Sequence, residues 1–254
     1  MIKLIYLWFL TTILLWTSIS IAKSNNDTDL PTKIAEANDL YQKGRFSEAS
    51  DIYQSLISSG YQNGYLYFNA GNSSFREGRQ GQAILNYRKA LKMLPRDQNV
   101  FANLNYAVME TKDKIFEPPK LLISKALFWI DNFSTRELAI ILILVNFIFW
   151  CSIFGRSILR TTLWEKTALI TGIILAILLV STGGKIWLES NYKTAVVISS
   201  QIEVKSAASL SNVTLFELHE GAIFRIGEER GDWVEIILDE KKTGWVLKEK
   251  IALI

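Results

Sequence analysis

Leu138 to Phe154 reads LAIILILVNFIFWCSIF, and Thr167 to Gly184 reads TALITGIILAILLVSTGG; neither run carries a charge. The first has 17 residues. As an α-helix at ~1.5 Å per residue it spans about 25 Å, the short end of what a hydrocarbon core of roughly 30 Å requires. The apolar character of the second run continues through Trp187. Between them, residues 155–166 hold Arg156, Arg160 and Lys166 against one acid, Glu165. Short basic loops stay in the cytoplasm. The pattern predicts a membrane hairpin with spans at 138–154 and 167–188, a cytoplasmic loop at 155–166, and both flanks on the opposite side. A buried hairpin in a soluble protein is the alternative, and a second charge-free run of this length argues against it. On the second span, Ala168, Gly172 and Ala176 recur every fourth residue and predict a smooth contact face. Asn146 is the one strongly polar side chain of the first span and is expected to bond across the helices.

Working outward to the start, Lys3, the apolar run Leu4–Trp16 and Ser20-Ile21-Ala22 have the layout of an export signal. Residues 1–22 are read as a signal peptide cleaved after Ala22, with an uncleaved anchor as the alternative. Either reading puts the next segment outside the cytoplasm. Residues 23–31 are polar, a flexible leader. With 254 residues the chain has room for one large or two small domains beside the hairpin. A formal charge of +3 and no lysine-rich block set nucleic acid aside as a partner. Cys151 and His219 are the only cysteine and histidine. They leave no disulfide framework and no Cys- or His-based metal site within one chain, so no cofactor is expected.

Residues 32–116 carry an internal repeat. Gly44, Ala49 and Tyr53 return as Gly78, Ala83 and Tyr87, and Ala37 returns as Gly71, each 34 residues on. That period, with small residues at those places, is the tetratricopeptide signature. Small residues let two antiparallel helices approach closely, and the tyrosines fill the space between successive copies. The copies run at about 30–63 and 64–97. Residues 98–114 match the next copy poorly and are read as a capping helix, since repeat arrays need an atypical end. Glu117-Pro118-Pro119 breaks that helix. Within the linker 117–137, KLLISKALFWIDNF (120–133) is too short to span; it lies at the membrane interface or packs on the repeats.

After Asn191 the pattern becomes strand-like. Ala195–Ile198, Ile202–Lys205, Ala222–Gly227, Trp233–Leu238 and Gly244–Leu247 are short β-rich runs separated by polar loops, among them Ser209–Leu218. Five such runs predict a small barrel over 192–254. It is expected to fold alone around a buried Trp233. His219, in LHEG, reads as a turn residue rather than a general base.

VVISSQIEVKSAAS, LHEGAIFRI, GDWVEIIL and TGWVLKEKIALI resemble the bacterial SH3-like domain. The whole order resembles the E-type protein of the Bat (Bacteroides aerotolerance operon) group: signal peptide, tetratricopeptide repeats, two membrane helices, SH3-like end. The resemblance implies a multi-domain membrane protein with an all-α repeat domain, a transmembrane hairpin and a small all-β barrel. It implies a non-enzymatic scaffold in the bacterial inner membrane, with repeats and barrel in the periplasm. Its implied partners are von Willebrand A-type Bat proteins and a MoxR-type ATPase in an envelope-stress complex. A cell-wall-binding or wall-sensing protein, using the SH3-like end on peptidoglycan, is the alternative. In tetratricopeptide arrays the first helix of each repeat lines a concave groove. Counting from Gly44 and Gly78 as fifteenth places, the groove residues are Asn38, Tyr41 and Gln42, then Asn72, Phe75 and Arg76, with Tyr106 from the cap. Asparagine amides there suit the backbone of an extended peptide. Arg76 suits a carboxylate.

Overall fold

The structure, a computed structural model, describes residues 29–115, 125, 127–239 and 241–254. The signal segment, residues 23–28 of the leader, and Pro118, Pro119 and most of the start of the 120–133 segment lie outside the described residues. The chain divides into two compact units. Residues 127–188 belong to one; residues 29–115 and 189–254, from both sides of it in sequence, belong to the other.

The 34-residue period is carried into the helices. α1 (Leu30–Gln42) and α2 (Phe46–Ser58) are followed by α3 (Gly64–Arg76) and α4 (Gln80–Met93), and α5 begins again at Gln98 and ends at Met109. Each helix packs on the next. Gly44 and Gly78 close the first helix of each pair with φ of 77° and 80°, a region costly for any residue with a Cβ. Tyr53 and Tyr87 are almost wholly buried. The reason for the small residue at 71 is direct: a Cβ there would lie 2.7 Å from the Tyr87 ring.

In the hairpin unit, α6 (Thr135–Leu159) and α7 (Thr162–Asn191) are long and apolar enough to cross a membrane. α6 opens on a capping box between Ser134 and Glu137. Both helices run well into the stretch expected to be a loop. Only Arg160, left-handed at φ 49°, and Thr161 separate them. Gly155 permits this, because the Trp164 ring occupies the space a Cβ would need. Leu138, Leu142, Asn146 and Trp150 form one buried face of α6 at a spacing of four. The smooth face of α7 is used only in part. Ala168 is buried and Gly172 faces the Phe149 ring, but Ala176 is exposed. Asn146 is buried yet makes no hydrogen bond with a described residue. The Trp129 Nε1–H donates instead to Ser181 Oγ at 3.0 Å, and Lys185 donates to the carbonyls of Ile130 and Phe133. These bonds hold a short 3-10 turn, Phe128–Asn132, at the end of the 120–133 segment, whose residues 120–124 and 126 lie outside the described residues.

After α7 come seven strands rather than five: β1 (Thr194–Val197), β2 (Gln201–Lys205), β3 (Thr214–His219), β4 (Ile223–Arg230), β5 (Trp233–Ile237), β6 (Thr243–Leu247) and β7 (Ile251–Leu253). All pair antiparallel in the order β3-β2-β6-β5-β4-β1-β7. The two additional strands are the sheet's edges, which need few inward apolar residues and so carry little alternation. One core holds Val197, Ile202, Val204, Leu218, Phe224, Val234, Ile236 and Val246, with Ile251 packed against it. A sheet that feeds one core from every strand must curl around it.

Neither tryptophan belongs to that core. Val234 and Ile236 take the inward places of β5, which leaves Trp233 half-buried on the other face, not in the centre as expected. Trp245 is the buried one, lying under the Arg230 guanidinium at 4.8 Å.

The sheet does not stand apart from the repeat helices. Ile84, Ala107 and Val108 of α4 and α5 share a core with Val196 and Ile223 of the sheet, and Ala252 and Ile254 pack against it. Ile115 reaches the sheet's own core. The sheet thus covers the end of the repeat array.

Candidate functional site

The repeat helices place the predicted groove residues on one face and join several of them. Asn38 and Asn72 both lie in hydrogen-bonded triads. The Tyr53 hydroxyl donates to Asn38 Oδ1 at 2.6 Å, and Asn69 Nδ2 donates to the same oxygen at 3.3 Å. One repeat later, Tyr87 donates to Asn72 Oδ1 at 2.8 Å and Asn103 Nδ2 does so at 2.8 Å. All three members shift together by 34: 38 to 72, 53 to 87, 69 to 103.

The triads fix the amides. Each Asn38 and Asn72 oxygen already accepts twice, so what these residues offer outward is the Nδ2 donor. Asn69 and Asn103 use their NH₂ groups and retain an Oδ1 that pairs with no described residue. An amide with both donor and acceptor free, as expected from the sequence, is therefore split over two residues. Burial pushes the Tyr53 hydroxyl up to about 12, with smaller contributions from Tyr41, which raises it, and from the Asn69 hydrogen bond, which lowers it. Burial pushes Tyr87 up as well. Both hydroxyls are protonated donors at neutral pH.

The remaining groove residues form aromatic contacts. Tyr41 meets Phe46 edge-on at 5.1 Å, and the Arg76 guanidinium lies over Phe46 at 4.4 Å. Phe75 meets Tyr106 edge-on at 5.5 Å. Tyr106 and Arg76 are both exposed, and Arg76 has no carboxylate within ion-pair distance among the described residues. Gln42 and Tyr41 wall a cavity of about 170 Å³ with Asn38, Tyr53, Asn69 and Asn72. All seven predicted residues thus sit on the first helices of the repeats.

Sequence reasoning missed Asn69 and Asn103. The signal was present but split. The first copy has Ala35 at the matching place, so the pair emerges only when α5 is read as a third copy and not as a cap. It also assigned Tyr53 and Tyr87 to space-filling and overlooked their hydroxyls.

His219 is a strut between helices and sheet. Its backbone N–H donates to Asp113 Oδ2 at 2.7 Å and its Nδ1 lies 3.1 Å from Asp113 Oδ1. Lys112 Nζ is 2.7 Å from Nε2. An ammonium can only donate, so Nε2 accepts and the ring proton sits on Nδ1. Both nitrogens are occupied, in keeping with a structural turn residue.

Compared with protein-family models and with curated protein sequences, the chain matches none of them.

Proposed function

We propose that this chain is a membrane-anchored, non-enzymatic scaffold that holds extended segments of other proteins in the groove of a tetratricopeptide array. The observation that carries this reading is the pair of Tyr–Asn–Asn triads one repeat apart. They present fixed donors at Asn38 and Asn72 and fixed acceptors at Asn69 and Asn103, the groups that a peptide backbone pairs with. Arg76, with its guanidinium over the Phe46 ring, adds a cation for a carboxylate on the partner. In this reading the hairpin anchors the array in the inner membrane, both flanks lie in the periplasm, and the C-terminal sheet is a bacterial SH3-like domain. By the same resemblance the partners are von Willebrand A-type proteins and a MoxR-type ATPase complex in envelope stress.

The test keeps the fold and changes only what the groove offers. In Asn38→Asp with Asn72→Asp, the retained oxygen still accepts from Tyr53 and Tyr87. The outward NH₂ becomes a carboxylate oxygen. The double variant is expected to keep its far-UV circular dichroism and to lose proteins that co-purify with the wild type in mild detergent. Undiminished co-purification overturns the reading.

A further inference from the structure

The polar cavity has an apolar neighbour. A second cavity of about 300 Å³ lies between the start of α1 and the start of α3, walled by Leu30, Ile34, Tyr61 and Leu66. Tyr53 and Asn69 line both cavities, so the two share a wall. Leu66 is buried in the fold, whereas Leu30, Ile34 and Tyr61 keep part of their apolar surface open. Among the described residues, no charged one lines it. Asn63 at its rim is already engaged, accepting from Tyr65 N at 2.8 Å as the N-cap of α3.

These facts specify an occupant. An extended chain carries an amide at every residue and sends successive side chains to opposite sides. A peptide unit held by Asn38 Nδ2 and Asn69 Oδ1 brings the adjoining side chain to the wall that the two cavities share. A charged side chain entering there would lose its hydration and meet no opposite charge, only the neutral amides of Gln62, Asn63 and Asn69 and the tyrosine hydroxyls. An apolar one would displace water from Leu30, Ile34 and Tyr61.

We propose that this cavity is the anchor subsite of the groove, taking one bulky apolar side chain (Leu, Ile, Met or Phe) of an extended peptide whose main chain lies on the Asn38–Asn69 triad. The proposal rests on the groove reading above and adds its selectivity.

The test uses the full chain in lipid nanodiscs, with a phage-displayed random nonapeptide library depleted on empty nanodiscs. Selected peptides are expected to share one position restricted to Leu, Ile, Met or Phe. Replacing that residue by Ala should weaken binding at least about tenfold, because the buried side-chain area is lost. Leu30→Gln should remove the preference while the Ala peptide binds as before. Ile34→Trp, which fills the cavity from the other wall, should do the same and covers the case in which Leu30→Gln does not fold. Asn38→Asp should weaken all peptides alike. Peptides with no apolar preference, or a preference that survives both cavity variants, overturn the anchor and leave the groove standing. A library that yields no peptides overturns both.

Discussion

The carboxylate of Glu220, in the turn between β3 and β4, accepts a 2.8 Å hydrogen bond from the backbone N–H of Gly81 in the first turn of α4. α4 has no cap of its own, since Arg79 at its N-cap makes no side-chain bond to the helix. A residue of the sheet therefore caps a helix of the repeats, and its negative charge meets the positive end of the helix dipole. Glu220→Ala should cost about 1–2 kcal/mol. Because helices and sheet share a core, urea unfolding followed by helical circular dichroism and by tryptophan fluorescence should shift by the same amount. A shift in one signal alone would mean two independent domains.

Two glycines separate the contribution of this junction from ordinary backbone strain. Gly221 has φ of 87°, and a Cβ there would meet Thr111 Cγ2 at 2.4 Å and Ile84 Cδ1 at 2.8 Å. Gly231, at φ 57°, has nothing within 4 Å. Gly231→Ala should cost the left-handed penalty alone, about 1–2 kcal/mol. Gly221→Ala should cost that plus the overpacking of the interface, about 1–3 kcal/mol more. Equal thermal unfolding midpoints for the two variants would refute a tight junction.

What the sequence made legible was whatever repeats. The period of 34 located the helix pairs, the turn glycines and the buried tyrosines, because each copy must solve the same packing problem. Charge-free runs located both hairpin helices. What it hid depends on contacts between distant segments. Gly81 reads as a residue inside a helix, yet its missing Cβ leaves room for the backbone at Val197 and Ile198. Trp233 reads as core, but the strand's alternation gives the inward places to Val234 and Ile236. The ends of α6 and α7 were masked by their charges, since Arg156 and Glu165 pair at 3.4 Å while remaining helical.

Hydroxyl loss should weigh equally in the two triads. Tyr53→Phe leaves Asn38 Oδ1 with one donor, and Tyr87→Phe does the same to Asn72. Each should cost about 0.5–1.5 kcal/mol. The double variant should be additive, because each hydroxyl serves its own triad. Chemical denaturation of the four proteins in the cycle checks this, and a coupling well above about 0.5 kcal/mol would show that the triads act as one network.

Alkaline pH should attack the same groups. Tyr53 is raised from 10.0 to about 12 by burial, so folding favours its protonated form. The stability this supplies is fully present below pH ~10 and is lost as pH rises through about 12, the folded value. In tyrosine absorbance, Tyr53 and Tyr87 should ionise above the ordinary phenol range, together with loss of helical signal. Complete ionisation near pH 10 with the helices intact would contradict a buried hydroxyl network.

The unit boundaries constrain the membrane topology. Residues 29–115 and 189–254 build one compact unit, with Lys92 Nζ donating to Ile254 O at 2.9 Å across 162 positions of sequence. Such a unit cannot form with its parts on opposite sides of a bilayer. If α6 spans the membrane, α7 must span it back, whatever the charges of the loop. Arg156 and Arg160 then decide which side the tip takes, and basic tips stay in the cytoplasm. An alkaline phosphatase domain, active only after export, should work when fused after Ile254 and fail when inserted at Thr161, in the two-residue tip. Activity at Thr161 and silence after Ile254 would reverse the orientation. Activity at only one of Ile254 and Gln62, in the turn between α2 and α3, would break the shared unit itself.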